Sequence, residues 1–329
     1  MILLLLHHSG IQMCLTNLNG APRLLMLCFG LLLAVMVPAR SGAADQELFA
    51  IQGDVALPVN YRTPAPVRVQ VGTASVRGAV PLPVGDHGQL VPAFSYRLQL
   101  APYVQPTEVP ALPPVHWPEV SLTGLRWWPS GWQVYGQVSA AMAGDLTAID
   151  AGVVRLAGLL TLRRRLSERL TLGAGATLTW AFGQLAPIPL LTLDWNPSDA
   201  VELQVVLPVR LTLTHTWHRR TRVGMRAGFV GNAFAIRDDT VLDTFCPTDA
   251  AAGACLERIA YSAGNATLMV GQRVLRTAED NGGLWLELHG GVSFLRRFEL
   301  LSVAETPLEG ADTRLPGSAF ASFGIRYLK

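Results

Sequence analysis

The run LWLELHGGVSF near the C-terminus puts Glu287, His289 and Ser293 on alternate positions, so a strand there would carry all three on one face. His289 beside Glu287 could act as an acid–base pair, and Ser293 with His289 would be two parts of an acyl-transfer site, which needs an orienting third group as well. The spacing argues for something plainer. Residues two apart on a strand stand about 7 Å apart and commonly just line a wall, and nothing nearby in the sequence completes the set. His215 and His218 flank Trp217 at a turn, where solvated imidazoles are expected rather than metal ligands. The glycines of Gly173-Ala174-Gly175 fall inside a strand pattern, not between a strand and a helix, so they form no phosphate loop. They are expected to relieve crowding where a sheet bends. No metal and no cofactor is expected.

What remains is a row of charges. Arg97, Arg155, Glu202, Arg210, Arg226, Glu287 and His289 each sit on the polar row of a segment whose alternate residues are apolar. The clearest case is Val201–Thr214: Val201, Leu203, Val205, Leu207, Val209, Leu211 and Leu213 form one row, and Glu202, Gln204, Val206, Pro208, Arg210, Thr212 and Thr214 the other. That alternation is a strand with one oily face, and the run is long enough to be one stave crossing a bilayer, which takes about 9–11 tilted residues. The same pattern recurs in Leu170–Phe182, Trp132–Ala143, Gly152–Leu162, Arg222–Ile236 and Leu284–Phe294.

Two arrangements satisfy such strands: a soluble barrel or sandwich with the oily face inward, or a membrane barrel with it outward. Composition favours the second. The chain has 329 residues, half of them hydrophobic, and only 15% charged, well below the roughly 25% of soluble domains. Lysine is scarce, so the polar rows are rich in arginine and suit an enclosed network of fixed charge. Trp128, Trp132, Trp180, Trp195 and Trp217 lie near strand ends, where membrane barrels carry aromatic girdles. Trp285 has the wrong parity for such a belt. The formal net charge of +2 is too small and too evenly spread for a nucleic-acid partner.

Targeting points the same way. Arg23 precedes the apolar run Leu24–Val37, which Pro38 breaks before the small residues Ser41-Gly42-Ala43-Ala44. That is the plan of a secretory signal peptide, so residues 1–44 are set apart from the fold, with Met13 as an alternative start. In an exported chain Cys246 and Cys255 are expected to form a local disulfide. Residues 45–64 read as a periplasmic arm or irregular first strand, and 65–329 as the barrel. Counted from Val67, the expectation is an antiparallel transmembrane barrel of about 12 strands, within 10–14. Its long loops, 237–257 and 300–317, would project from one rim, with the proline-rich link Pro102–Pro118 on the other.

The block LTLGAGATLTWAFGQLAPIPLLTLDWNPSDAVELQVVLP, Leu170–Pro208, resembles a poorly characterised family of bacterial outer-membrane barrels classed as a domain of unknown function. The resemblance rests on a glycine-bearing strand, a proline-marked turn, a strand ending in Trp-Asn-Pro and an acidic strand ending in Leu-Pro. It implies architecture and an outer-membrane location, and no substrate. The C-terminal SFGIRYLK, Ser322–Lys329, resembles the signal by which the barrel assembly machinery takes up such chains, although Lys329 stands where an aromatic usually closes them.

The sequence therefore predicts a non-enzymatic outer-membrane barrel in contact with lipid: a narrow channel or transporter for small polar or anionic solutes, or a structural barrel. The alternatives are a barrel-embedded lipid-modifying enzyme and a secreted soluble β-barrel binding an apolar ligand.

Overall fold

In the computed structural model, the described residues are 47–57, 59–62, 66–100, 113–181, 184–238, 256–276, 282–302 and 313–328. The signal segment, Cys246, Cys255 and Lys329 lie outside them. Fourteen strands close into one antiparallel barrel. In chain order they are β1 (Glu47–Ala56), β2 (Gly72–Ala79), β3 (Gly88–Leu100), β4 (Val115–Trp127), β5 (Trp132–Met142), β6 (Val154–Ser167) and β7 (Leu170–Ala181). The second half is β8 (Gln184–Ser198), β9 (Val201–Leu207), β10 (Arg210–Trp217), β11 (Thr221–Ala235), β12 (Leu256–Arg276), β13 (Gly283–Ser302) and β14 (Ser318–Leu328). Each pairs with its sequence neighbours, and β14 pairs with β1 to close the ring. A small hairpin, Val59–Arg62 with Pro66–Val69, stands apart from the wall.

The expected count of about twelve is thus corrected to fourteen. Glu47–Ala56 and Gly72–Ala79 are both staves, whereas Val67, where the count began, belongs to the separate hairpin. The stretch Val201–Thr214 is also two strands, not one. Pro208 has no N–H to give a central ladder, and the chain reverses there, Val209 N donating to Val206 O at 2.7 Å. Across this turn Val205 faces Leu211 and Gln204 faces Thr212. Each residue meets a partner of its own parity, so the oily row stays on one face and the polar row on the other.

The two faces differ sharply. On β6, Leu160 is 62% exposed while its neighbour Thr161 is 3% exposed. Val120, Val138, Leu172, Leu191, Leu211, Leu268 and Leu288 repeat the exposed apolar row around the wall. Glycine lets the wall close where it is crowded: a Cβ on Gly175 would stand 2.1 Å from Leu160 O.

Both chain ends of the barrel meet at one rim, where Glu47 pairs with Leu328. That rim carries the short connections, 128–131, 168–169, 199–200 and 218–220 among them. Exposed Trp128, Trp132, Trp195 and Trp217 cluster near it. The end of β3 and the start of β4 lie on the opposite rim, together with the ends of β11 and β13 and the starts of β12 and β14. This corrects the placement of Pro102–Pro118 on the other side: with β1 ahead of it, Gly88–Leu100 is the third strand rather than the second, and its far end falls on the opposite rim. Part of that link is also wall. Val115–Pro118 pair with β3, and Pro118 lies just past the last β5 partner, so its missing N–H costs no ladder bond.

Candidate functional site: a polar lumen with a crossed upper mouth

Period-two geometry fixes which side chains enter the lumen, and the ladder register then decides which of them meet. Near the rim of the short turns, β13, β14 and β1 bring together a network that only the closed ring could assemble. Glu287, 3% exposed, accepts from Arg326 Nη1 at 3.2 Å, and His289 Nε2 stands 3.2 Å from its other oxygen. Arg326 also donates to Glu47 at 2.6 Å from Nε and 2.5 Å from Nη2. Arg77 on β2 lies 3.8 Å from the same Glu47. A guanidinium between two carboxylates is a satisfied arrangement, and it ties three strands across the seam where the chain ends meet.

Beside it, buried Trp285 points inward, with Arg222 4.7 Å and Arg273 5.6 Å from its ring centre. These are cation–π contacts of the kind that keep arginines in place without neutralising them. Higher up the wall, Gln52 Nε2 donates to Asp54 and to Ser322 Oγ, and Thr73 donates to Asp54. On the far side Arg163 pairs with Asp194.

Arg97 projects into a cavity of about 350 Å³ bounded also by Arg77, Glu119, Ser121, Tyr135 and Gln137. Its guanidinium lies 5.8 Å from the Trp117 ring, whose Nε1 donates to Glu119. Glu202 accepts from Gln204 at 2.7 Å. Arg226 lies on the β11 inner row with its Nε buried. Arg210 is exposed on the inner row at the start of β10 and forms no ion pair among the described residues.

Arg155 serves a different purpose. It reaches away from the lower network, donating to Gly152 O, Val154 O and, at 3.3 Å, Ala233 O on β11. It belongs to a crossing of the upper mouth. The segment after β5 extends the β4 ladder through His116 and Gly144, and then pairs in parallel with Ala235. Ala235 N donates to Ala143 O at 3.0 Å, and Asp145 accepts from Arg237 N and Asp238 N at 2.6 and 2.8 Å. Phe234 packs edge-on against Trp117, and Ala143, Val153 and Ile236 are fully buried. Arg237 fastens the loop by donating to Asp150 at 2.8 Å, and this contact holds the Asp150 carboxyl below its ordinary value.

The hydroxyl chemistry weighed for Ser293 is not assembled. Its Oγ donates to Asn265 at 2.7 Å, four residues along the strand from His289. Ser322, which the register sets directly opposite His289, is held by Gln52. His215 packs edge-on against Trp217 near the short-turn rim.

The sequence reading missed Glu47, Arg326, Arg163, Asp194 and Trp285 as lumen residues. Arg326 was within reach, because it shares its parity with Ser322 and Gly324 in the last strand. Glu47 shares the parity of Phe49, Ile51 and Val55 and turns inward only through the register shift between Glu47 and Phe49, which no local pattern announces.

Residues 115–256, less than half of the chain, match the family described as Domain of unknown function (DUF6268). No curated protein matches the chain. Among solved structures, the chain is similar to an outer membrane channel from Pseudomonas putida F1 at 7% identity and a TM-score of 0.46, covering 89% of this chain and all of that one. It is similar to the NanC porin at 6% identity and a TM-score of 0.39, covering 85% and 98%. It is similar to LpxR from Salmonella typhimurium at 8% identity and a TM-score of 0.33, covering 84% and 99%.

Proposed function

We propose that this DUF6268-bearing chain is a bacterial outer-membrane barrel, exported by its N-terminal signal, that lets small polar solutes through its lumen with a preference for anions. One observation carries the reading. A closed wall turns its apolar row outward and encloses arginines, three of which (Arg97, Arg222 and Arg273) lie over aromatic rings. Only closed barrels can present strands to lipid, because every backbone polar group is then paired within the wall. Rings of arginine favour anions in pores.

The reading is non-enzymatic. The bond from Ser293 to Asn265 and the Glu287–His289–Arg326 network support a wall-lining role for the groups that catalysis would need. The lipid of the membrane and the assembly machinery, through Ser322–Lys329, are the partners it implies.

The test is conductance of purified, folded protein in planar bilayers with a salt gradient. A unit charge about 5 Å from a passing ion in a water-like medium is worth about 0.8 kcal/mol, or about fourfold in its local concentration. Arg97→Ala and Arg226→Ala are each expected to lower the anion-over-cation permeability ratio by up to about that factor. A folded protein that conducts nothing, or prefers cations, would contradict the proposal.

A further inference from the structure

The wall is not continuous. β9 and β10 are short, ending at the 207–209 turn, while the strands on either side of the pair run on: β8 upward through residues 190 to 184 and β11 through 230 to 235. The ladder between β8 and β9 stops at Leu191–Leu207, and the one between β10 and β11 at Arg210–Gly228. Above the turn two strands are therefore missing, which leaves an opening on the order of 14 Å wide at its base.

The sequence is fitted to this opening on both sides. On β8, Pro187 and Pro189 pair with β7 and have no partner on the other side. Proline removes the N–H that an open edge would otherwise present, which is how natural sheets blunt an edge. On β11, part of the edge is taken up by other groups. Phe229 N donates to Val209 O, Ala233 O accepts from Arg155, and Ala235 pairs with the segment after β5. The upper-mouth crossing thus borders the opening along its β11 edge, and the β9–β10 turn forms its sill.

The inner row changes character here. Polar and charged groups recur on it below, whereas beside the opening four inner positions read Ile188, Leu190, Val206 and Val230. Ile188 is 36% and Val230 42% exposed although both sit on the inner row. Just below them stands Arg210, exposed and without an ion pair among the described residues. We propose that this opening is a lateral port for amphipathic anions. The apolar chain of a long-chain carboxylate lies against Ile188 and Val230, and its head group pairs with Arg210. The inference rests on the barrel standing in a membrane, and it adds to the proposed polar path a second, lateral one with its own ligand class.

The test uses purified, folded protein in detergent, with folding checked by heat-modifiable gel mobility and dansyl-undecanoate as the fluorescent probe. Saturable binding is expected for the unaltered chain. Arg210→Glu should weaken it at least about tenfold, the worth of one hydrogen bond to a charged group. Val230→Trp should abolish it by filling the opening, and a dansyl-labelled long-chain quaternary ammonium should not bind. Ile188→Asp should have the same effect as Val230→Trp and decides the matter if the tryptophan variant does not fold. Absence of saturable binding, equal binding of the cationic probe, or binding indifferent to these substitutions would overturn the port. Bilayer conductance of the unaltered protein separates the two proposals: a chain that binds the probe and conducts no small ions keeps the port and loses the polar path.

Discussion

Glu287→Ala is expected to lower the stability of the folded barrel by about 3 kcal/mol, the lower end of the range for removing one partner of a buried ion pair. The value falls at the lower end because Arg326 keeps Glu47, which it contacts at 2.5 and 2.6 Å. What is lost is the second carboxylate of a guanidinium that sits between two, together with the acceptor facing His289. The measurement is the denaturant midpoint for unfolding in detergent micelles, read by tryptophan fluorescence or gel mobility. Adding Arg326→Ala to the variant should deepen the loss, since Glu47 then loses the guanidinium it contacts, but by less than Arg326→Ala costs the unaltered chain. If both single substitutions are neutral, Glu287 and Arg326 are separately solvated, and the network does not hold the seam between β1, β14 and β13.

The second large effect is expected on the opposite face of the wall. Leu160→Arg replaces an outward leucine that is 62% exposed, and at mid-bilayer depth the cost of arginine on the lipid face is about 2–4 kcal/mol. The effect should appear in folding into phospholipid vesicles and be much smaller in short-chain detergent, which yields around a buried charge. In a soluble protein the same substitution would place arginine on a hydrated surface, where changes usually stay within about 0.5 kcal/mol. A negligible effect in vesicles would mean that Leu160 meets water.

Much of this architecture was legible because period-two alternation survives nearly everything that happens to a strand. It even survived a misreading. Val201–Thr214 looks like a single stave because the turn at Pro208-Val209 pairs like parity with like. A hairpin and a long strand then share one pattern, and only the proline betrays the difference. The same parity rule assigned faces to Arg97, Arg155, Glu202, Arg210, Arg226, Glu287 and His289 without saying what they touch. Glu287 finds Arg326 across the β13–β14 ladder and Glu47 finds it across β1–β14, separations of 39 and 279 residues that no local pattern encodes.

The crossing of the upper mouth was hidden for the same reason. Gly144 meeting Ala235 depends on strand lengths: β9 and β10 stop early and leave the β11 edge free to accept a new neighbour. Pro187 and Pro189 were visible as a proline-marked turn. Their place on an open edge became readable only once β9 was known to end at Leu207.

The measurement closest to the centre of the account is nitroxide accessibility in reconstituted vesicles, at two adjacent pairs on facing strands. Labels at Val138 and Leu160 should collide readily with oxygen dissolved in the bilayer and little with a water-soluble nickel chelate. Labels at Gln137 and Thr161, one residue away in each case, should be shielded from oxygen. The reverse, with Val138 and Leu160 open to the chelate and shielded from oxygen, would mean that the apolar row does not face lipid and would contradict the barrel as described.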